Sequence, residues 1–125
     1  MENNQKQGWT ETKIVEGKIV ETAYFGKILP SHLDEVRIAL EAALRKSGGG
    51  DWLVDTTKAS GFRPAASESS SAFFDAFRRL GGKRIAVAVS SAPLRMLGSA
   101  LAFASGQDIK LFASRDEALQ FLRSS

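Results

Sequence analysis

The segment from Ile85 to Val89 constrains the fold more than any other part of the chain. It is an uninterrupted apolar run in which β-branched residues alternate with alanine. A strand with one face in water alternates polar and apolar residues, whereas a continuous apolar run is typical of a parallel strand covered on both faces. We therefore expect Val87, in the middle of the run, to be fully buried in the central strand of an α/β sheet.

The segments on either side of this run alternate between strand and helix patterns. Polar and apolar residues alternate weakly over Trp9–Glu16, Glu16-Gly17 marks a turn, and Lys18–Phe25 is a second apolar segment, which predicts a hairpin. Further strands are predicted over residues 51–56, 85–89 and 109–112, and helices opening at Pro30-Ser31, Ser67, Ser91 and Arg115. The order β-β-α-β-α-β-α-β-α predicts an α/β fold: a mixed, mostly parallel sheet with four helices and the N-terminal hairpin at its edge.

Capping residues mark the predicted helix ends. Ser31 is expected to be the N-cap of the first helix, because a serine oxygen accepts hydrogen bonds from the free amides of a first turn. Gly48–Gly50 are expected to end that helix, since glycine readily takes the left-handed conformation. Ser114 and Glu117 form the pattern of a capping box for the last helix. Residues 57–66 are predicted to form a loop.

Length and composition indicate a single domain. The chain has 125 residues, of which 43% are apolar and 25% charged, as is typical of globular proteins. Residues 1–8 are interpreted as a disordered tail and residues 9–125 as one domain. The tail lacks the apolar core of a signal peptide and the chain has no cysteine, so a cytoplasmic location is expected. Ser90–Pro93 interrupts the weakly charged segment Ile85–Gln107, which predicts a strand and a buried helix instead of a membrane span.

The chain offers few residues for catalysis or metal binding. His32 is the only histidine and cysteine is absent, so neither a nucleophile–base pair nor a metal-ligand set is apparent. Gly48–Gly50 precede a strand, whereas a phosphate-binding loop follows one. Asp55, predicted at the carboxyl end of a strand, either faces a ligand or hydrogen-bonds the amides of the following turn, and we favour the second interpretation. We predict no enzymatic activity, no metal and no cofactor.

The charge of the chain does not indicate a nucleic-acid partner. The net charge is +3, from 17 Lys and Arg against 14 Asp and Glu, and the basic residues are dispersed along the sequence. A domain that binds nucleic acid concentrates such residues in one patch or stripe. We therefore expect a different class of partner.

Three segments resemble one protein family. Residues 55–62 (Asp-Thr-Thr-Lys-Ala-Ser-Gly-Phe) follow a predicted buried strand, residues 83–89 (Lys-Arg-Ile-Ala-Val-Ala-Val) follow a Phe-rich helix, and residues 109–112 and 116–122 end the chain. Together with the order of elements, these segments resemble the SpoIIAA-like proteins, a stand-alone bacterial group related to STAS domains. The resemblance covers nearly everything after Trp9.

This resemblance implies a mixed sheet with helices packed to one side and a non-enzymatic regulatory or protein-interaction module of the bacterial cytoplasm. In the family's anti-sigma antagonists, phosphorylation of a serine that follows an aspartate is the switch. The matching residues here, 63–66, read Arg-Pro-Ala-Ala and lack that pair. Ser67 follows them and has two interpretations: it caps the second helix, which we favour, or it is the regulatory phosphoserine. The family also resembles the CRAL-TRIO lipid-transfer fold, which implies an alternative: a carrier of a lipid-like ligand, with a cavity lined by Phe73, Phe77, Leu97 and Leu101.

The working surface is predicted on the third helix, because residues 96–105 carry no charge. A helix on the outside of a small domain normally has a polar face. Either neighbouring elements cover this helix, or its apolar side binds a protein partner, a second copy of the chain or a lipid-like ligand. The residues predicted at this surface are Phe62, Met96, Gly98, Ser99, Ala100 and Phe103.

Overall fold

The computed structural model describes residues 8–16, 18–62, 74–93, 95–96, 99, 106 and 108–124. Its strands are β1 (Trp9–Val15), β2 (Ile19–Ile28), β3 (Gly50–Phe62), β4 (Gly82–Ala88) and β5 (Ile109–Phe112). Its helices are α1 (Pro30–Ser47), α2 (described over residues 74–79), α3 (described at residues 92–93, 95–96 and 99) and α4 (Arg115–Arg123). The strands form one sheet in the order β1-β2-β3-β4-β5, with β1 antiparallel to β2 and the other neighbours parallel. The predicted mixed, mostly parallel sheet is confirmed.

β4 is the strand predicted from the apolar run, and it lies between β3 and β5. Ile85 is 1% exposed, and Ala86 and Ala88 are fully buried. Val87 is only half-buried, so the prediction that it is a fully buried core residue is wrong. It lies at the margin of the core on its face, paired with the half-buried Leu111 of the edge strand β5.

Side chains alternate between two faces of the sheet, and helices cover both of them. On the first face, Trp52 of β3 packs with Leu40 of α1 and Phe77 of α2. On the second face, Leu53 of β3 packs with Leu119 of α4. The expectation that the helices pack to one side is therefore wrong. The central strands carry apolar residues on both faces, and each face needs its own cover.

β2 and β3 are longer than predicted and pair beyond the point where β4 ends. Asp55 pairs with Ala88, the last residue of β4, whereas β3 continues to Phe62, which pairs with Ile28 of β2. Residues 57–62, predicted as part of a loop, are therefore strand. Two register shifts occur along the β2–β3 pair. Such irregularities let a strand absorb residues that locally favour a turn.

The start of α1 differs from the prediction. Its N-cap is Leu29, with Pro30 as the first helical residue, so the prediction of Ser31 as N-cap is wrong. The Leu29 amide donates a hydrogen bond to Nδ1 of His32 (2.8 Å), and the His32 amide donates to the Leu29 carbonyl (2.9 Å). The histidine thus satisfies a backbone amide at the helix start. The helix ends at Gly48, whose φ of 77° is left-handed, as the glycine run predicted.

α4 begins where the capping pattern predicted. Ser114 is the N-cap, and its side chain accepts a hydrogen bond from the Glu117 amide at 3.2 Å. The Glu117 carboxylate accepts a hydrogen bond from the amide of Ala113, one residue before the N-cap, at 3.2 Å. Ala118 and Leu122 are buried on the second face.

Several predicted features lie outside the described residues. They include the tail over residues 1–8, apart from the buried Gly8, and the predicted start of the second helix at Ser67. Within the described part of the chain, no helix is both long enough and apolar enough to cross a bilayer.

Candidate interaction surface

The predicted surface on α3 is described at two side chains. Met96 is 72% exposed, and Ser99 is also exposed. Phe62, predicted in a loop, is the last residue of β3, and its backbone alone is described. Outside the described residues lie Gly98, Ala100 and Phe103, together with the candidate phosphoserine Ser67. The surface therefore stays a prediction, with Met96 as its described apolar member.

α3 starts at the carboxyl end of β4. The Val89 amide donates a hydrogen bond to the Phe112 carbonyl (2.8 Å), which holds the chain beside β5 after β4 ends. The Arg95 amide then donates to the Ser91 carbonyl (3.0 Å) and closes a first helical turn. Met96 follows directly. This helix thus begins at the edge of the sheet where α/β proteins commonly bind their ligands.

A polar basin on the second face was not predicted. It has a volume of about 200 Å³ and lies on the part of this face that α4 leaves open. Phe25, one of its walls, stacks against Trp9 with the ring centroids 4.8 Å apart. The basin is lined by Glu11, Lys13, Glu21, Ala23, Phe25, Asp55, Lys58 and Arg115.

The strongest contact in the basin joins β2 to the start of α4. Nε and a terminal nitrogen of Arg115 donate to the two carboxylate oxygens of Glu21, at 2.6 and 2.7 Å. The Glu21 side chain is 6% exposed and that of Arg115 34%. These hydrogen bonds, more than the charge of Glu21, raise the pKa of the Arg115 guanidinium. The pair satisfies a buried carboxylate and anchors α4.

Asp55 lies buried beside this pair. Its Oδ1 accepts hydrogen bonds from the Thr57 amide (2.9 Å) and the Thr57 hydroxyl (2.6 Å), and its Oδ2 lies 3.9 Å from Nζ of Lys58. The interpretation that Asp55 binds a nearby backbone amide is confirmed, although the strand does not end there. The Lys58 ammonium also lies 5.9 Å from the Phe25 ring centroid. The lining of the basin thus has three acidic side chains and three basic ones, so their formal charges balance.

Removing Arg115 tests the role of the pair. Arg115→Ala leaves the buried Glu21 carboxylate without its main partner, and we expect a loss of about 1–3 kcal/mol in the free energy of unfolding. Urea denaturation followed by circular dichroism measures this loss. The matched control is Arg123→Ala on the same helix, which removes an exposed pair with Glu16 and should have little effect. Equal losses in the two variants would contradict the anchoring role.

Other arginines of the described structure also bind acidic groups. Arg84 donates to the carboxylate of Asp51 (2.7 Å) and to the Leu122 carbonyl at the end of α4 (2.9 Å). Arg123 pairs with Glu16, and this hydrogen bond lowers the pKa of Glu16. These guanidinium groups hold α4 on the sheet. They do not form the unpaired basic stripe that a nucleic-acid surface needs.

The described residues contain no group of three or more His, Cys, Asp and Glu side chains that would hold a metal ion. His32, the only histidine, uses its Nδ1 as the acceptor for the Leu29 amide. Of the four residues predicted to line a lipid cavity, Phe77 alone is described. It is 1% exposed and packs against Trp52, with the ring centroids 6.2 Å apart. The carrier alternative stays a prediction.

The sequence contained only a partial signal for the basin. Glu11, Lys13 and Glu21 occupy alternate positions in the predicted hairpin, which indicates a polar stripe on one face. The contact between Glu21 and Arg115 joins residues 94 positions apart. No local pattern predicts that pairing, because it depends on which face of the sheet α4 covers.

Comparison with known proteins identifies the fold. No family model matches the chain, and no curated protein matches it. A DUF3478-family protein from Shewanella loihica PV-4 with a SpoIIAA-like fold is 18% identical, with a TM-score of 0.67 over 98% of each chain. The anti-sigma factor antagonist SpoIIAA in its unphosphorylated form is 15% identical, with a TM-score of 0.68 over 93% of this chain and 99% of that one. An anti-sigma factor antagonist from Mycobacterium paratuberculosis is 13% identical, with a TM-score of 0.65 over 94% and 96%. The chain has the SpoIIAA-like fold, as its resemblance predicted.

Proposed function

We propose that this chain is a non-enzymatic regulatory module of the bacterial cytoplasm that binds a protein partner through α3 and the carboxyl end of β3. The fold supports this proposal, because it is shared with anti-sigma factor antagonists along more than nine-tenths of both chains. An antagonist of an anti-sigma factor acts on another protein. We therefore propose that this chain, like those antagonists, acts by binding another protein. The identity of that partner is left open.

Within the molecule, the observation that supports this proposal is the exposure of Met96. It is 72% exposed on a helix that begins at the carboxyl edge of the sheet. An unbranched thioether side chain adapts well to the surface of a partner. Ile38 of α1 is a comparable exposed apolar residue, at 62%, but it lies on the side of α1 opposite the buried Val36 and Leu40. Ile38 lies outside the proposed surface, which makes it the matched comparison for Met96.

The proposal assigns no catalytic residue. His32 caps α1, and the buried Asp55 is bound by Thr57. Both groups therefore have structural roles that need no substrate. Binding through a surface requires only that apolar contact area be exposed on a stable scaffold.

The matched pair Met96→Glu and Ile38→Glu tests this function. Tagged wild-type and variant proteins are used to capture partners from the source cell, and the affinity of the captured partner is then measured by calorimetry. We expect Met96→Glu to weaken binding by about tenfold or more, because the complex would desolvate the introduced charge. Ile38→Glu should bind as the wild type does. Native circular dichroism of both variants is the control for folding.

Two outcomes of this binding measurement would contradict the proposal. A partner that binds Met96→Glu as tightly as the wild type would remove α3 from the interface. A partner lost equally in both variants would show that the effect comes from added charge and not from the position of Met96.

A further inference from the structure

β1 is an edge strand, and within the described residues no strand pairs with its outer side. The outer side of an edge strand presents backbone amides and carbonyls that another strand can bind. β1 has seven residues, whereas β5 at the opposite edge has four. β1 is therefore the edge with room for a full strand of another chain.

The side chains of β1 alternate between the two faces of the sheet. Glu11 and Lys13 line the basin on the second face, and Ile14 packs against the core of the first face. The second face of β1 thus carries Trp9, Glu11, Lys13 and Val15, and the first face carries Thr10, Thr12 and Ile14.

This sequence is complementary to itself in one antiparallel register. With Thr12 opposite Thr12 of a second copy, Glu11 of each chain lies opposite Lys13 of the other. Opposite residues in such a pair have Cβ atoms about 4.5–5.5 Å apart, which is within reach of an ion pair. The remaining pairs are Trp9 with Val15 and Thr10 with Ile14.

Other symmetric registers are worse. A two-fold axis normal to the sheet keeps each face on its own side. Residues that lie opposite each other must share a face, so the axis passes midway between the two copies of one residue of β1. An axis at Glu11 places two carboxylates opposite each other, and an axis at Lys13 places two ammonium groups opposite each other. Like charges in directly opposed positions are destabilising. The axis at Thr12, the midpoint of Trp9–Val15, avoids both and overlaps all seven residues of the strand.

We infer that β1 pairs antiparallel with β1 of a second copy around Thr12, so that two five-stranded sheets join into one. The charge pattern of Glu11 and Lys13 selects this partner and this register. The contact lies on the edge of the sheet, whereas α3 begins at the carboxyl end of β4. The inference is therefore independent of the proposed partner surface.

A cross-link at the two-fold axis tests the register. The chain has no cysteine, so Thr12→Cys provides the sole thiol. In the inferred dimer the two thiols face each other at a separation that a disulfide spans. Mild oxidation of the full chain should therefore give a covalent dimer. The matched control is Thr10→Cys, whose two copies would be four residues apart along the strand, about 13 Å, and should stay unlinked. No cross-link at position 12, or equal linking in both variants, would overturn the inference.

Charge reversal tests the selecting pair. Sedimentation should show the wild type dimerising at high micromolar concentration, and Glu11→Lys should raise the dissociation constant about tenfold or more. Glu11 lies opposite Ala23 on β2, so this change reverses no charge pair across that hairpin position. A wild-type monomer would overturn the inference, and so would a dimer that Met96→Glu dissociates and Glu11→Lys does not.

Discussion

Ile85→Asp should unfold the domain under conditions in which the wild type is folded. Ile85 is 1% exposed and packs with Trp52 and Phe77 in the core of the first face. The substitution removes a buried branched side chain, at about 2–5 kcal/mol, and adds the burial of an unpaired carboxylate. The sum is comparable with the whole stability of a typical domain, about 5–15 kcal/mol. Circular dichroism during thermal and urea denaturation measures the outcome.

Val87→Asp is the matched comparison for this result. Val87 lies two residues further along β4 and on the same face, but it is half-buried. Its carboxylate would reach water, so we expect a destabilised protein that still folds cooperatively. Lys110 is the exposed residue of β5 that pairs with Ala86, and Lys110→Asp should change the free energy of unfolding little. If Val87→Asp were as damaging as Ile85→Asp, the difference in burial between the two positions would be contradicted.

Gly50→Ala should produce the second large effect. Gly50 opens β3 with a φ of 131°, a left-handed conformation that residues with a Cβ rarely adopt. An added Cβ would lie 2.1 Å from the backbone oxygen of Lys18. That oxygen accepts a hydrogen bond from the Asp51 amide (3.3 Å), so moving it would break a contact between β3 and the hairpin. We expect a loss of about 2 kcal/mol or more, seen as a fall of about 8 °C or more in Tm.

Two other glycines provide graded controls for this prediction. Gly48, the C-cap of α1, also has a left-handed φ, but a Cβ there would meet nothing within 4 Å. Gly48→Ala should therefore show backbone strain alone and a smaller loss, about 1 kcal/mol. Gly61 has neither a left-handed φ nor a neighbour within 4 Å, so Gly61→Ala should be neutral or slightly stabilising. A different ranking in calorimetry would contradict the role of the Lys18 contact.

Local patterns in the sequence predicted the order of the elements and several of their ends. The apolar run at Ile85–Val89 predicted the interior strand β4, although β3 and not β4 is the central strand of the five, and Gly48 and Ser114 marked ends of helices. These features depend on residues within one turn or one strand. Backbone conformation and periodicity are properties of short segments, so the sequence by itself determines them.

Tertiary structure decided the features that depend on distant segments. Residues 57–62 became strand because β2 extends far enough to pair with them, and Val87 is half-buried because it lies at the margin of the core. His32 became a cap when α1 began at Pro30.

For the interaction surfaces too, some features were visible in the sequence and others depend on the tertiary structure. The lack of charge on the third helix was visible in the sequence, and so were the alternating charges of β1. Which face α4 covers was not visible, and that choice joins Glu21 to Arg115 and leaves the polar basin open. The sequence by itself determined the local elements and their polarity, and only the tertiary structure decided which of them meet, because packing free energy depends on contacts between segments far apart in the chain.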